Sequence, residues 1–185
     1  SVHPLDMCEQ VSVYLGLVSN KADASALYVV DATAVGNNIF AVVNNGLSHS
    51  AISADAPADI RRLMDKLYNA GARKFLVNNV PNVGDTPKGR NATSSSTISD
   101  LSNQFSAALD NEVNSFRGTH ADASVKIADF KSTVRNAVGF SNTTDACYVE
   151  GAAVCANPDS YVYWDSLHPT AAMGRSLAQA ALNAL

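Results

Sequence analysis

Asp165 and His168 stand three residues apart in the stretch Tyr163-Trp164-Asp165-Ser166-Leu167-His168-Pro169-Thr170. On one short loop such a pair can turn face to face. The carboxylate then accepts the imidazole Nδ1–H and leaves Nε2 free as a general base. Those are two of the three groups that hydrolysis through an acyl intermediate requires, and the third is a nucleophile. None of the serines fits that role well. Ser166 lies inside the same loop, beside its own base, and Ser176, in Gly174-Arg175-Ser176-Leu177, falls on the surface of a helical stretch. Ser48, next to His49, lacks the strand-to-helix elbow that exposes a nucleophile, and Ser1 stands too close to the polar turn at residues 36–38 to head a strand and helix of its own.

Other reactive residue types point to structure. His3, His49 and His120 have no carboxylate or cysteine at ligand spacing, so loop or surface positions are expected, with no metal and no cofactor. Asp31 and Asp129 each close a β-rich run, where capping or a turn hydrogen bond is the expected role. Cys147 and Cys155 enclose a short segment of small residues, which suits a local disulfide, whereas zinc would need further Cys or His. Cys8 is left over: it reads as a buried helix thiol or as half of a bridge to a segment outside this sequence. Asn91-Ala92-Thr93 and Asn142-Thr143-Thr144 are glycosylation acceptors, and with the cysteine pair they fit a secreted protein. Ser1 to Pro4 carry no basic or apolar signal region, so a secretion signal is expected upstream.

The elements that must position the Asp–His loop can be read from periodicity. With 185 residues, 46% hydrophobic and 16% charged, the chain suits one α/β domain over 1–185 with a real core. A net charge of −4, with Lys and Arg scattered, argues against a nucleic-acid partner, and no 18-residue apolar run exists to span a membrane. Residues 5–18 place Cys8, Val11, Leu15 and Val18 on one helical face. Leu27 to Val30 reads as a strand covered on both faces, followed by a polar turn from Asp31 to Asn38. Residues 54–70 form the clearest helix, with Ile60, Leu63, Met64 and Leu67 on one face and Gly71 as the stop. A strand at 74–80 and a polar surface loop at 88–97 come next. A long helix steps through Ile98, Leu101, Phe105, Leu109, Val113 and Phe116, then a strand at 123–130, a short helix near 131–137, the cysteine loop, the Asp–His loop and a last helix. This alternation predicts a parallel sheet, with function at the carboxyl ends of its strands.

In that order the blocks resemble the GDSL, or SGNH, family of serine ester hydrolases, in its secreted fungal and plant-like branch. Four stretches carry the resemblance: Leu27 to Asn38, like the family's Gly-x-Asn block; Phe75 to Pro87, like its next strand and Pro-rich loop; Gly139-Phe140 with Cys147 and Cys155-Ala156-Asn157-Pro158; and the final Asp165-x-x-His168-Pro169 block. The resemblance implies a three-layer α/β/α, flavodoxin-like fold. It implies an esterase, acetylesterase or lipase-like enzyme acting on a small ester or an acylated carbohydrate. His168 would be the base, Asp165 its partner, and an Asn of the turn with Gly36 would serve the oxyanion. Gly36-Asn37-Asn38 matches the Gly-x-Asn spacing with Asn38; matching the family's Asn-Asp pair instead selects Asn37 and leaves Val35 at the Gly position. Asn38 is preferred because the Gly is then retained. The family's Gly-Asp-Ser block and its first strands have no counterpart here. The 185 residues are therefore expected to be the C-terminal two thirds of such a domain, the nucleophile lying on another segment and a second polypeptide or a second copy completing the sheet. The alternative is a truncated, non-catalytic relative that binds a ligand or a partner.

Overall fold

The computed structural model describes residues 6–185, so the expectations attached to Ser1 and His3 lie outside the described residues. Asp6 accepts the Glu9 amide at 2.7 Å while the Glu9 carboxylate accepts the Asp6 amide at 2.9 Å, a capping box that starts α1 (Met7–Leu17). Leu15 is the fully buried residue of α1, so the apolar face is narrower than its spacing implies. Cys8 is exposed and free, which corrects the reading of a buried thiol.

β1 (Leu27–Asp31) leads through a 3₁₀ turn into α2 (Val35–Asn44). A helix thus replaces the expected polar turn. Its signal is the burial of Val35, Ile39 and Val42, which recur at helical spacing behind the Gly and two Asn that read as a turn. A π-helical turn then enters α3 (Ala56–Asn69), where Ile60, Leu63, Met64 and Leu67 are all buried as their spacing predicts. β2 (Lys74–Asn78) follows, and the stretch expected to be a polar loop carries α4 (Pro87–Arg90) and the start of α5 (Ser95–Thr119). β3 (Ser124–Ala128), α6 (Phe130–Asn136), β4 (Asn142–Ala146), β5 (Tyr161–Tyr163) and α7 (Ala171–Ala184) complete the order.

β1, β2 and β3 form one parallel sheet in that order, with Tyr28, Phe75 and Val125 in register. α3 and α5, on the connections from β1 to β2 and from β2 to β3, pack against each other on one face, where the Phe75 and Phe116 ring centroids lie 5.3 Å apart. Leu76 and Ala128, which point to the other face, are buried as well, and α7 lies against β3. The architecture is three-layer α/β/α. On the second face Val29 is 62% exposed, and β1 forms the sheet's edge. That corrects the expectation of a strand covered on both sides: its apolar run reflects β-propensity and one buried face, not two. β4 and β5 make a second, two-stranded parallel sheet that sequence reading missed, because Asn142-Thr143-Thr144-Asp145 carries no apolar alternation. His120, expected at a loop or surface position, is the non-helical residue that ends α5, and its ring is stacked on Phe116 at 4.3 Å and set edge-on to Tyr68 at 4.0 Å.

Candidate active site

At the carboxyl ends of the three strands, short polar side chains tie neighbouring strands together. Asn78, ending β2, donates to Asp31 Oδ1 at 2.7 Å, and Asp31 also caps the 3₁₀ turn through the Thr33 amide at 2.9 Å. Asn79 donates to Asp129 Oδ1 at 2.9 Å and accepts the Lys131 amide at 2.8 Å, while Asp129 caps α6 through Ser132. Asp31 and Asp129 thus take the capping roles that their positions predict. Burial pushes both carboxyls up, and the hydrogen bonds they accept outweigh it, so both sit below the ordinary carboxylate range. The sequence reading carried Asn78 and Asn79 within the Phe75 to Pro87 stretch and gave them no role of their own. Two amides directly after an apolar strand core were the available signal.

The Asp–His loop joins β5 to α7 and is held at three points. Trp164 donates its amide to the His168 carbonyl at 2.8 Å, Lys88 donates to the Ser166 carbonyl at 2.8 Å, and Thr170 caps α7 through the Met173 amide while its hydroxyl donates to the Tyr161 carbonyl at 2.7 Å. Within the loop Asp165 accepts the amides of Leu167 at 2.8 Å and His168 at 2.7 Å, and its Oδ2 lies 2.8 Å from His168 Nδ1. Burial pushes the Asp165 carboxyl up, but these bonds, the His168 amide foremost, hold it below the ordinary range. The carboxylate therefore stays charged at neutral pH and lies within hydrogen-bond reach of Nδ1, so Nε2 is the ring nitrogen that it does not contact. The His168 side chain is 68% exposed, and among the described residues no hydroxyl hydrogen-bonds to Nε2.

The cysteine loop is laid against this one. Cys147 and Cys155 are joined by a disulfide, and the β4–β5 pairing runs on past the strand ends: Cys147 donates to the Tyr163 carbonyl at 3.0 Å and Tyr148 to that of Trp164 at 2.6 Å. The Tyr148 and Trp164 rings stack at 5.8 Å. The residue before Asp165 is thereby clamped from both sides.

His168 stands at one side of a cleft of about 350 Å³ that also receives Thr33 from the 3₁₀ turn and Gly36 and Asn37 from the start of α2. One residue further along the helix, a rotation of about 100° carries Asn38 away from the cleft and into a separate cavity beside Cys8. The sequence-based preference for Asn38 therefore falls on the asparagine that does not line the cleft, because the segment is helical rather than a turn. Tyr163, also in the cleft, has its hydroxyl pushed up to about 12, by burial first and then by Asp85, and stays protonated. Ser48 is exposed, Ser176 lines a groove beside α7, Ser166 sits within the loop, and none of the three hydrogen-bonds to Nε2. Among the described residues no group of three His, Cys, Asp or Glu is placed to hold a metal ion, and no helix is long and apolar enough to cross a membrane.

A family model for GDSL-like lipases and acylhydrolases matches residues 7–181, through every element described. The chain belongs to this GDSL family. It is similar to three Arabidopsis thaliana proteins in particular. Identity is 30% to GDSL esterase/lipase At1g29660, over 67% of this chain and 40% of the relative. It is 28% to GDSL esterase/lipase At2g04570, over 66% and 42%, and 26% to GDSL esterase/lipase EXL2, over 71% and 40%. The chain spans about two fifths of the length of these curated relatives. Within the GDSL chain, one loop brings Asp165 and His168 together, the cleft adds Gly36 and Asn37, and Asn38 is left outside. Of the two sequons, Asn91 is exposed, whereas the Asn142 carboxamide accepts the Thr144 and Asp145 amides and donates to Asp145 Oδ2.

Proposed function

We propose that this GDSL chain supplies the base and the cleft of a serine-type ester hydrolase, and that its 185 residues act as the C-terminal two thirds of a larger hydrolase domain. The observation that carries the reading is the Asp165–His168 contact of 2.8 Å, with Nε2 open at the mouth of a cleft. Nε2 takes the proton from an attacking serine hydroxyl and then delivers it to the departing alkoxide. Asp165 holds the imidazole in the required tautomer and offsets its charge. The Asn37 carboxamide, with the amide of Gly36, donates to the oxyanion of the tetrahedral intermediate. A water, deprotonated by the same Nε2, releases the acid.

The serine is assigned to a segment other than the described residues, because no hydroxyl there bonds to Nε2. That segment is proposed to pair with the open edge of β1, where Leu27 and Val29 are 41% and 62% exposed. We assign the protein to an extracellular setting, on the strength of the disulfide and the exposed Asn91 sequon, with Asn91 as the preferred glycan site. The open Nε2 is also what a non-catalytic relative that merely binds its ligand would display.

Two measurements on the complete native protein separate these readings. A fluorophosphonate should label one serine outside residues 6–185; no adduct on any polypeptide favours the binder. In the active assembly His168→Ala should lose at least about 10³-fold in kcat, and Asp165→Asn about 10⁴-fold with KM little changed, because the carboxamide reverses the tautomer. Unchanged turnover in His168→Ala refutes the assignment.

A further inference from the structure

The lining of the cleft carries a statement about substrate that rests on the reading of His168 as its base. Much of its lining is apolar: Val80, Val83, Val134, Val162, Met173 and Leu177. Val162 and Met173 belong to a small apolar core of their own, formed where α6, β5 and α7 meet. An acetyl group would leave most of 350 Å³ as water against hydrocarbon, which is unfavourable. A methylene needs about the room of one water, about 30 Å³ in the liquid, so the same space holds a chain of about ten carbons. The leaving alcohol takes its proton from His168, whose side chain is 68% exposed, so the apolar lining is left for the acyl portion.

Met173 sets where that chain stops. It is fully buried, its amide is fixed by the Thr170 cap, and its side chain lines both this cleft and an outer groove that runs between α6 and α7. Among the described residues no other side chain lines both. It is the wall between them. We propose that the cleft takes the acyl chain of a medium-chain carboxylic ester, of about eight to ten carbons, and that Met173 is the specificity-determining residue that limits its length.

Titration calorimetry on the full chain with straight-chain carboxylates from butanoate to tetradecanoate, below micelle-forming concentrations, tests this without requiring turnover. Affinity should rise about fourfold per methylene and level off near ten carbons. Met173→Ala opens the cleft into the outer groove, so the rise should continue to tetradecanoate. Leu177→Phe, at a half-buried lining position, adds about one methylene's volume and should end it about one carbon earlier, and it decides the matter alone if the alanine variant fails to fold. Affinity independent of chain length, or a plateau at the same length in every folded variant, overturns the inference. A ladder that moves with Met173 while His168→Ala retains turnover leaves the inference standing and removes the catalytic reading.

Discussion

Replacing both Cys147 and Cys155 by alanine tests how much the clamp on the Asp–His loop depends on its covalent closure. Alanine is preferred to serine because Cys147 is 3% exposed, and a hydroxyl there would need a hydrogen-bond partner. The two cysteines are separated by eight positions, and the chain-entropy relation for closing a loop that short gives about 2.5 kcal/mol at 25 °C. Little else should be lost, since most of the segment between them is exposed and the backbone bonds to Tyr163 and Trp164 involve no side chain of either cysteine. With an m-value of about 2.5 kcal/mol/M in urea, the unfolding midpoint should fall by about 1 M at unchanged slope. Dithiothreitol should produce the same shift in the native protein and none in the variant. A fall of less than about 0.3 M in the variant would refute the reasoning, because the bridge would then not constrain the unfolded chain.

A Cβ built on Gly89 would collide with the Val83 carbonyl oxygen and stand 2.7 Å from Gly84 Cα, both backbone atoms that cannot swing aside. Gly89→Ala should therefore cost about 3 kcal/mol or more in urea unfolding, whereas Gly118→Ala, inside α5 with nothing within 4 Å, should stabilise by about 0.5–1 kcal/mol; equal effects would contradict the packing around the turn at residues 83–85. Acid should loosen the strand ends and the Asp–His loop together. The carboxyls of Asp31, Asp129 and Asp165 are held below their unfolded values, so the folded state binds fewer protons than the unfolded chain, and their stabilisation is fully present above about pH 4 and lost as pH falls through the folded values. Urea midpoints that stay level from pH 7 to pH 3 would contradict this, and in the triple Asn variant the decline should flatten.

Where a side chain's fate follows from its neighbours along one element, the sequence was enough. Ile60, Leu63, Met64 and Leu67 of α3 repeat at helical spacing and are all buried, and Asp165 and His168 need only a short loop to meet. Features that depend on what another element does were harder to read. The Gly and two Asn at the start of α2 concealed a helix, and with it the rotation that puts Asn37 in the cleft and Asn38 outside. The apolar residues of β1 gave no sign that one face would stay open, because β-propensity reads the same at an edge as at the centre of a sheet. β4 escaped notice since its polar residues face solvent, and its pairing with β5 is set by backbone bonds rather than by side chains. The Met173 wall arises from three elements meeting, which no single periodicity encodes.

Because Asp165 binds two amides of its own loop as well as the imidazole, the pair behaves as a small rigid body. Thermal motion of α7 or the cysteine loop would carry both residues together, preserving their separation while moving the pair relative to the cleft. Misalignment would then be an error of docking, not of internal geometry. A hydrolase whose parts lie on separate polypeptide segments could assemble in that way, since its most distance-sensitive contact would be complete before the segments meet.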